Sequence, residues 1–218
     1  MRTSSAVRRS CENSCVSILP ARTLVLATTN PGKIAEIVPL LDGTPFLLRT
    51  LADFPGMEAP EETGRTFAEN ARLKADYYAR RTGELVVAED SGLEVDALDG
   101  VPGVESARYG GVDASYPEKF TQLYAALRAR GADSSPARFV CAVALMVGEQ
   151  LLFEGAGVIE GHIAREPAGH GGFGYDPIFY YPPLGQTLAE AGPRKALVSH
   201  RGQAFRALSR FLASRTGI

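Results

Sequence analysis

With 218 residues, 45% of them hydrophobic and 22% charged, the chain is long enough for one substantial core or for two lobes sharing a cleft. A formal net charge of -2 gives no global basic field, so no nucleic-acid partner is indicated, and an anionic ligand needs locally placed Lys and Arg. Three cysteines make no even disulfide framework, which suits a reducing, cytoplasmic compartment. No apolar run reaches the roughly 18–20 residues that a membrane-spanning helix requires.

Residues 1–21 are rich in Ser and Arg and carry one short apolar stretch, Val16 to Leu19, too brief for a secretory signal. They are expected to be a disordered or dispensable extension, with residues 22–218 forming a single domain. Cys11 and Cys15 have a metal-like spacing, but no second Cys/His pair stands at a suitable distance, so no zinc site is expected.

The domain opens on Leu24-Val25-Leu26-Ala27, fit for a buried strand. Thr28 to Lys33 breaks it, and Ile34 to Leu41 follows as a helix with Pro31 near its first turn. A helix is predicted over Phe67 to Arg81, because Thr66 and Glu69 have capping-box spacing and Gly83 lies just past the end. Leu85 to Ala88 is a further buried strand, ending at Glu89-Asp90-Ser91-Gly92. Leu93, Val95 and Ala97 then alternate with polar neighbours before a turn at Asp99-Gly100.

Ser115 and Glu118 repeat the capping-box spacing ahead of a helix that runs to Arg130 and stops at Gly131. Phe139 to Val147, with Cys141 as a buried residue, and Leu151 to Ala164 read as paired strands around a turn at Gly148-Glu149. A glycine-rich stretch from Gly169 to Pro177 leads into a strand from Ile178 to Tyr181. A last helix runs from about His200 to Ala213, with Ser199 as N-cap and an apolar face of Ala204, Phe205, Leu208, Phe211 and Leu212. The alternation of strands and helices places the chain in the α/β class, with a mixed β-sheet.

Four segments carry candidate chemistry. Thr28, Thr29, Asn30, Pro31, Gly32 and Lys33 leave a strand and enter a helix, where backbone N–H groups, the helix dipole and the lysine suit a phosphate. It is not a Walker A loop, since Ile34 follows the lysine; an ordinary turn with a surface lysine is the plain alternative. Glu89 and Asp90 fall where ligand crevices of open α/β sheets lie, at a strand's carboxyl end. Adjacent carboxylates point in different directions, so one of them enters the crevice, or both belong to a solvated turn. Glu61 and Glu62 supply further oxygen ligands if the fold brings them close, as a hard cation such as magnesium would use.

In the third segment Gly171, Gly172 and Gly174 surround Phe173 and Tyr175 and permit close approach to a flat ligand. Phe173 can stack on a base while Asp176 reads its polar edge, unless the segment is only a tight hairpin. The fourth is Ser199-His200-Arg201 with Lys195 upstream. Cations at a helix N-terminus oppose the dipole by ~0.3–1 kcal/mol each, so two of them there point to a bound anion, a base carbonyl, or a cation turned to solvent.

Taken in order, these segments resemble the inosine-triphosphate pyrophosphatase family, also called Ham1-like. The matching pieces are Leu26 to Lys33, Glu61-Glu62-Thr63-Gly64 with Thr66-Phe67 and Glu69-Asn70-Ala71, and Asp90-Ser91-Gly92-Leu93. They continue with Pro102-Gly103, Ser106-Ala107-Arg108-Tyr109, Gly171 to Pro177, and Lys195 with Ser199 to Gly202. The likeness runs from about Leu24 to Leu212, and the ordered set is far more specific than any one motif.

The resemblance implies an elongated two-lobed α/β fold with a central mixed sheet flanked by helices and a deep cleft, usually a homodimer. It implies magnesium-dependent cleavage of ITP, dITP and XTP between the α- and β-phosphates. By position, Thr28 to Lys33 and Lys74 would hold the triphosphate, and Asp90 would be the general base and a metal ligand with Glu62 or its neighbour Glu61. Ser91, Phe173, Gly174, Tyr175, Asp176, Lys195, His200 and Arg201 would position the nucleotide and its base. Glu89 stands where many bacterial members have Asp. Two other readings stand beside this one, a hydrolase of other modified nucleotides and a non-catalytic purine-nucleotide sensor.

Overall fold

The computed structural model describes residues 22–214; the 1–21 extension, with Cys11 and Cys15, lies outside them. Strand β1 (Thr23–Leu26) leads into helix α1 (Pro31–Leu41), capped by Asn30, and strand β2 (Leu47–Thr50) returns parallel to β1. Helix α2 (Phe67–Thr82) starts on the capping box foreseen from Thr66 and Glu69 and ends on Gly83, whose φ of 70° suits glycine. Strand β3 (Leu85–Val95) lies parallel to β1 and antiparallel to β4 (Pro136–Val147), with helix α3 (Tyr116–Ala129) in the connection. Strands β5 (Gln150–Ile163), β6 (Phe179–Tyr181) and β7 (Gln186–Thr187) complete a seven-stranded mixed sheet in the order β2-β1-β3-β4-β5-β6-β7. The short helix α4 (Arg194–Val198) precedes α5 (His200–Ala213).

β3 differs from the expected strand and organises the molecule. It does not stop at Ala88 but runs unbroken to Val95, with Glu89 and Asp90 opposite Val143 and Ala142 of β4. Polar side chains do not interrupt a ladder whose backbone bonds are all kept, and here each carboxylate has a cation beside it.

Successive side chains leave a strand on opposite faces. Leu85 and Val87 therefore join a core with Ile37 of α1 and Phe205 and Leu208 of α5, while Val86 and Ala88 join another with Ala71 and Ala75 of α2. Past the polar step, Leu93 and Val95 enter a third core with Leu123 and Leu127 of α3, Phe139 and Phe179. One strand thus spans two lobes, and Glu89-Asp90-Ser91 stands at their junction.

The expected strand at Ile178 begins instead at Phe179, because Asp176–Ile178 forms a single 3-10 turn. β2, β7 and α4 were not expected; they span 4, 2 and 5 residues, too few for a periodic signal.

Candidate active site

The turn between β1 and α1 is built by Asn30, whose Oδ1 accepts from the N–H groups of Gly32 at 2.9 Å and Lys33 at 3.1 Å. These two donors are therefore already capped, a correction to the expectation that the helix start offers free N–H groups to a phosphate. From this turn Asn30 and Lys33 line the cavity; Thr28, Thr29, Pro31 and Gly32 do not. Gly32 has another role. A Cβ there would lie 2.7 Å from the Phe173 ring, so the glycine lets the aromatic side chain pack directly onto this turn.

Period-two geometry separates the two carboxylates of β3. Asp90 faces α2 and lines the cavity, whereas Glu89 points to the other face, where its side chain is fully buried. Lys33 Nζ pairs with Glu89 at 2.9 Å, Arg201 Nη2 approaches it at 3.4 Å, and the Cys141 thiol donates to it at 3.4 Å. Burial raises the Glu89 carboxyl, but Lys33, Arg201 and Lys74 outweigh it and hold the group far below the usual carboxylate range.

On the α2 side, Lys74 Nζ donates to Asp90 at 2.9 Å and to Glu62 at 3.0 Å, while Arg108 reaches the other Glu62 oxygen at 3.4 Å. Glu62 is the member of its pair that lines the cavity; Glu61 is exposed and does not. Burial pushes the Asp90 carboxyl up, partly offset by Lys74. The Lys74 ammonium is held charged by Asp90 and Glu62 against its own burial.

At the other end of the cavity the 3-10 turn pins Phe173, whose N–H donates to Asp176 at 2.8 Å. Lys195 bridges Asp176 and Glu36, and Lys195 Nζ lies 5.0 Å from the Phe173 ring centre. Arg201, expected at the first turn of α5 with a choice between ligand and solvent, is buried. It donates to Glu36 at 2.7 Å and to Ser91 Oγ at 2.8 Å, with the guanidinium carbon 5.3 Å from the Phe173 ring centre. Its Nε has no partner among the described residues, and neither has Nδ1 of the buried His200. The His200 ring stacks on Phe139 at 4.8 Å and 14°, and burial with the charges of Arg201 and Lys195 keeps it well below the ordinary histidine pKa, hence neutral.

The two ends share one cavity of about 690 Å³ of empty space, open to solvent and lined by Asn30, Lys33, Glu62, Asp90, Ser91, Phe173, Gly174, Tyr175, Asp176, Lys195, His200 and Arg201 among others. A cation-rich, acid-bearing end joined to an aromatic end with unpaired polar groups suits a molecule that is polyanionic at one extremity and planar at the other.

A model described as the Ham1 family matches residues 24–211. The chain belongs to the Ham1 family. A curated dITP/XTP pyrophosphatase of Exiguobacterium sp. is 48% identical over 191 residues, 85% of this chain and 94% of that protein. Another, from Thermus thermophilus, is 48% identical over 194 residues, 88% of this chain and 92% of that protein. Among solved structures, a Ham1 protein from Coxiella burnetii superposes with a TM-score of 0.82 at 43% identity, covering 88% of this chain and 99% of its own. A nucleoside-triphosphatase / dITP/XTP pyrophosphatase from Mycobacterium abscessus gives 0.69 at 41% identity, with 85% and 98% covered.

This Ham1-family chain also places in the site residues to which the sequence reading gave no role. Glu36, the sixth residue of α1, ties Lys195 and Arg201 together from the helix packed against α5. Arg108 balances Glu62, and Asn70 donates to Asp90 at 3.3 Å. A lone helical glutamate carries no local signal; Arg108 and Asn70 lay inside quoted motifs, and only the fold shows what they touch.

Proposed function

We propose that the chain is a nucleoside-triphosphate pyrophosphatase that hydrolyses ITP, dITP and XTP to the monophosphate and pyrophosphate, clearing aberrant purines from the nucleotide pool. The observation that carries this reading is the acid pair Glu62 and Asp90, bridged by Lys74, at one end of the cavity that holds Phe173, His200 and Arg201 at the other. Family membership and the dITP/XTP pyrophosphatases among its relatives support the same substrate class.

In this reading Asp90 is the general base. Its carboxyl, raised by burial, is a better proton acceptor than an exposed aspartate. It orients a water and takes its proton as the water oxygen bonds to the α-phosphorus. The bond from that phosphorus to the bridging oxygen breaks, and its electron pair leaves with pyrophosphate. Lys33 and Lys74 oppose the charge of the triphosphate and of the leaving group. No residue is covalently modified.

The residues fit a magnesium ion. Glu62 and Asp90 are hard oxygen donors that already share one cation, the Lys74 ammonium. No group of three or more His, Cys, Asp or Glu among the described residues is arranged to hold a metal, so substrate phosphate oxygens and water would complete the set. When bound, the ion neutralises charge on the triphosphate and on the leaving pyrophosphate. The homodimer and the cytoplasmic compartment implied by the family belong to the same proposal.

Base selection rests on the 6-keto group of hypoxanthine and xanthine, an acceptor for the unpartnered Arg201 Nε–H. Adenine presents an amino donor there and leaves the buried group unpaired.

The test is product identification by phosphorus NMR on dITP and XTP, with and without magnesium. Monophosphate and pyrophosphate, formed only with the metal, are expected. A diphosphate and orthophosphate would assign the chain to a different phosphohydrolase, and tight binding without turnover would make it a sensor.

A further inference from the structure

Tyr116, the first residue of α3, lines the cavity from the second lobe. Its ring is fixed on several sides. It packs edge-on against Tyr175 at 5.4 Å and 86°, tilted against Phe120 at 6.2 Å, and lies 5.1 Å from the ammonium of Lys119. Lys119 is itself buried and anchored to the Ala107 carbonyl.

The hydroxyl of this clamped ring is unused: it makes no hydrogen bond among the described residues. Tyr116 is half-buried and its hydroxyl is not among the buried unpartnered atoms, so on a cavity-lining residue it remains available to a ligand.

Where the hydroxyl lies indicates what it meets. It stands 3.6 Å from the position a Cβ on Gly174 would take, immediately after Phe173. The charged groups that act on it are Asp176 and Arg201, both at the Phe173 end of the cavity. Burial, the larger influence, raises the phenol's pKa and keeps it protonated, so it is a neutral donor suited to a carbonyl or ring nitrogen.

We infer that Tyr116 donates its hydroxyl hydrogen bond to an acceptor on the purine base, from the lobe opposite α5, and so contributes to selecting the nucleotide. This rests on the function proposed above. It adds a reading group to Arg201 and His200 from a different element.

Tyr116→Phe keeps the ring and its packing and deletes only the hydroxyl. Calorimetric titration of the full chain with IMP, dIMP and pyrophosphate reads each part of the ligand without turnover. The expected result is a loss of affinity of roughly three- to tenfold for IMP and dIMP alike, with pyrophosphate unchanged. The same loss should appear in kcat/KM for ITP and dITP.

Unchanged affinity for both monophosphates would overturn the inference. A loss confined to IMP would move the contact to the ribose 2′-hydroxyl and overturn the base assignment. An equal loss for pyrophosphate would show a general distortion and overturn it too. A wild-type protein that binds neither inosine nucleotide sinks the function itself, a result separate from a wild type that binds and a variant that binds equally well.

Discussion

The Lys74 ammonium stands 2.9 Å from one carboxylate oxygen of Asp90, and Asn70, one helical turn earlier on α2, donates to the other at 3.3 Å. Residues i and i+4 share a helix face, so a single face of α2 holds both oxygens of the proposed base. The Asn70 Oδ1 also accepts from the N–H of Gly64 at 2.8 Å, which ties the loop carrying Glu62 to the same helix. One helix face thus ties Asp90 on β3 and the loop of Glu62 to the same cation.

Asp90→Asn removes the base and keeps its shape, and Lys74 retains Glu62 as a partner. The expected result is a fall in kcat of about two to four decades with the fold intact, checked by steady-state kinetics and thermal melting. Activity within about a factor of three of wild type would remove Asp90 from the mechanism.

Arg201 and Glu89 are both buried, with side chains 3% and 0% exposed. Arg201→Ala takes from Glu89 one of its two cations, leaving Lys33, and removes a partner of Glu36, so it should cost up to about 3–5 kcal/mol of stability. A double-mutant cycle of Arg201→Met and Glu89→Gln in denaturant melts reads the pair itself, with a combined loss smaller than the sum of the single losses expected. Strictly additive losses would show that the two residues are not energetically paired.

His200 gives a pH signature. In the folded chain it is held neutral, its pKa well below the ordinary histidine value near 6.5, by burial first and then by Arg201 and Lys195. The unfolded chain takes up a proton there near pH 6.5 and the folded chain does not, so stability is full above that pH and lost as it falls below. The limiting slope from one such group is about 1.4 kcal/mol per pH unit. Asp90 and Asp176, raised by burial, act in the opposite sense, so the comparison is between wild type and His200→Phe. The variant should lose less stability between pH 6.5 and 5; parallel curves would show that His200 is not the acid-sensitive group.

Much of the frame is legible in the sequence, because caps and breakers are local. Thr66 with Glu69, Gly83 and Ser199 mark helix ends in the chain itself, and the structure puts those ends within a residue of where they were read. The course of β3 was not legible: Glu89 and Asp90 look like a turn until Lys33, Lys74 and Arg201 arrive from three other elements to neutralise them. Glu36 was hidden for the same reason, since its partners lie 159 and 165 residues away. Non-local charge pairing decides the site, and no sequence window contains it.

The central claim is that this cavity selects a 6-keto purine and releases pyrophosphate. The most direct measurement is kcat/KM for dITP and dATP, followed by pyrophosphate release from the wild-type chain with magnesium. The account predicts a preference for dITP of at least about a hundredfold, since the buried Arg201 Nε and its neighbours are left unpaired by adenine. Comparable rates on the two nucleotides would contradict it.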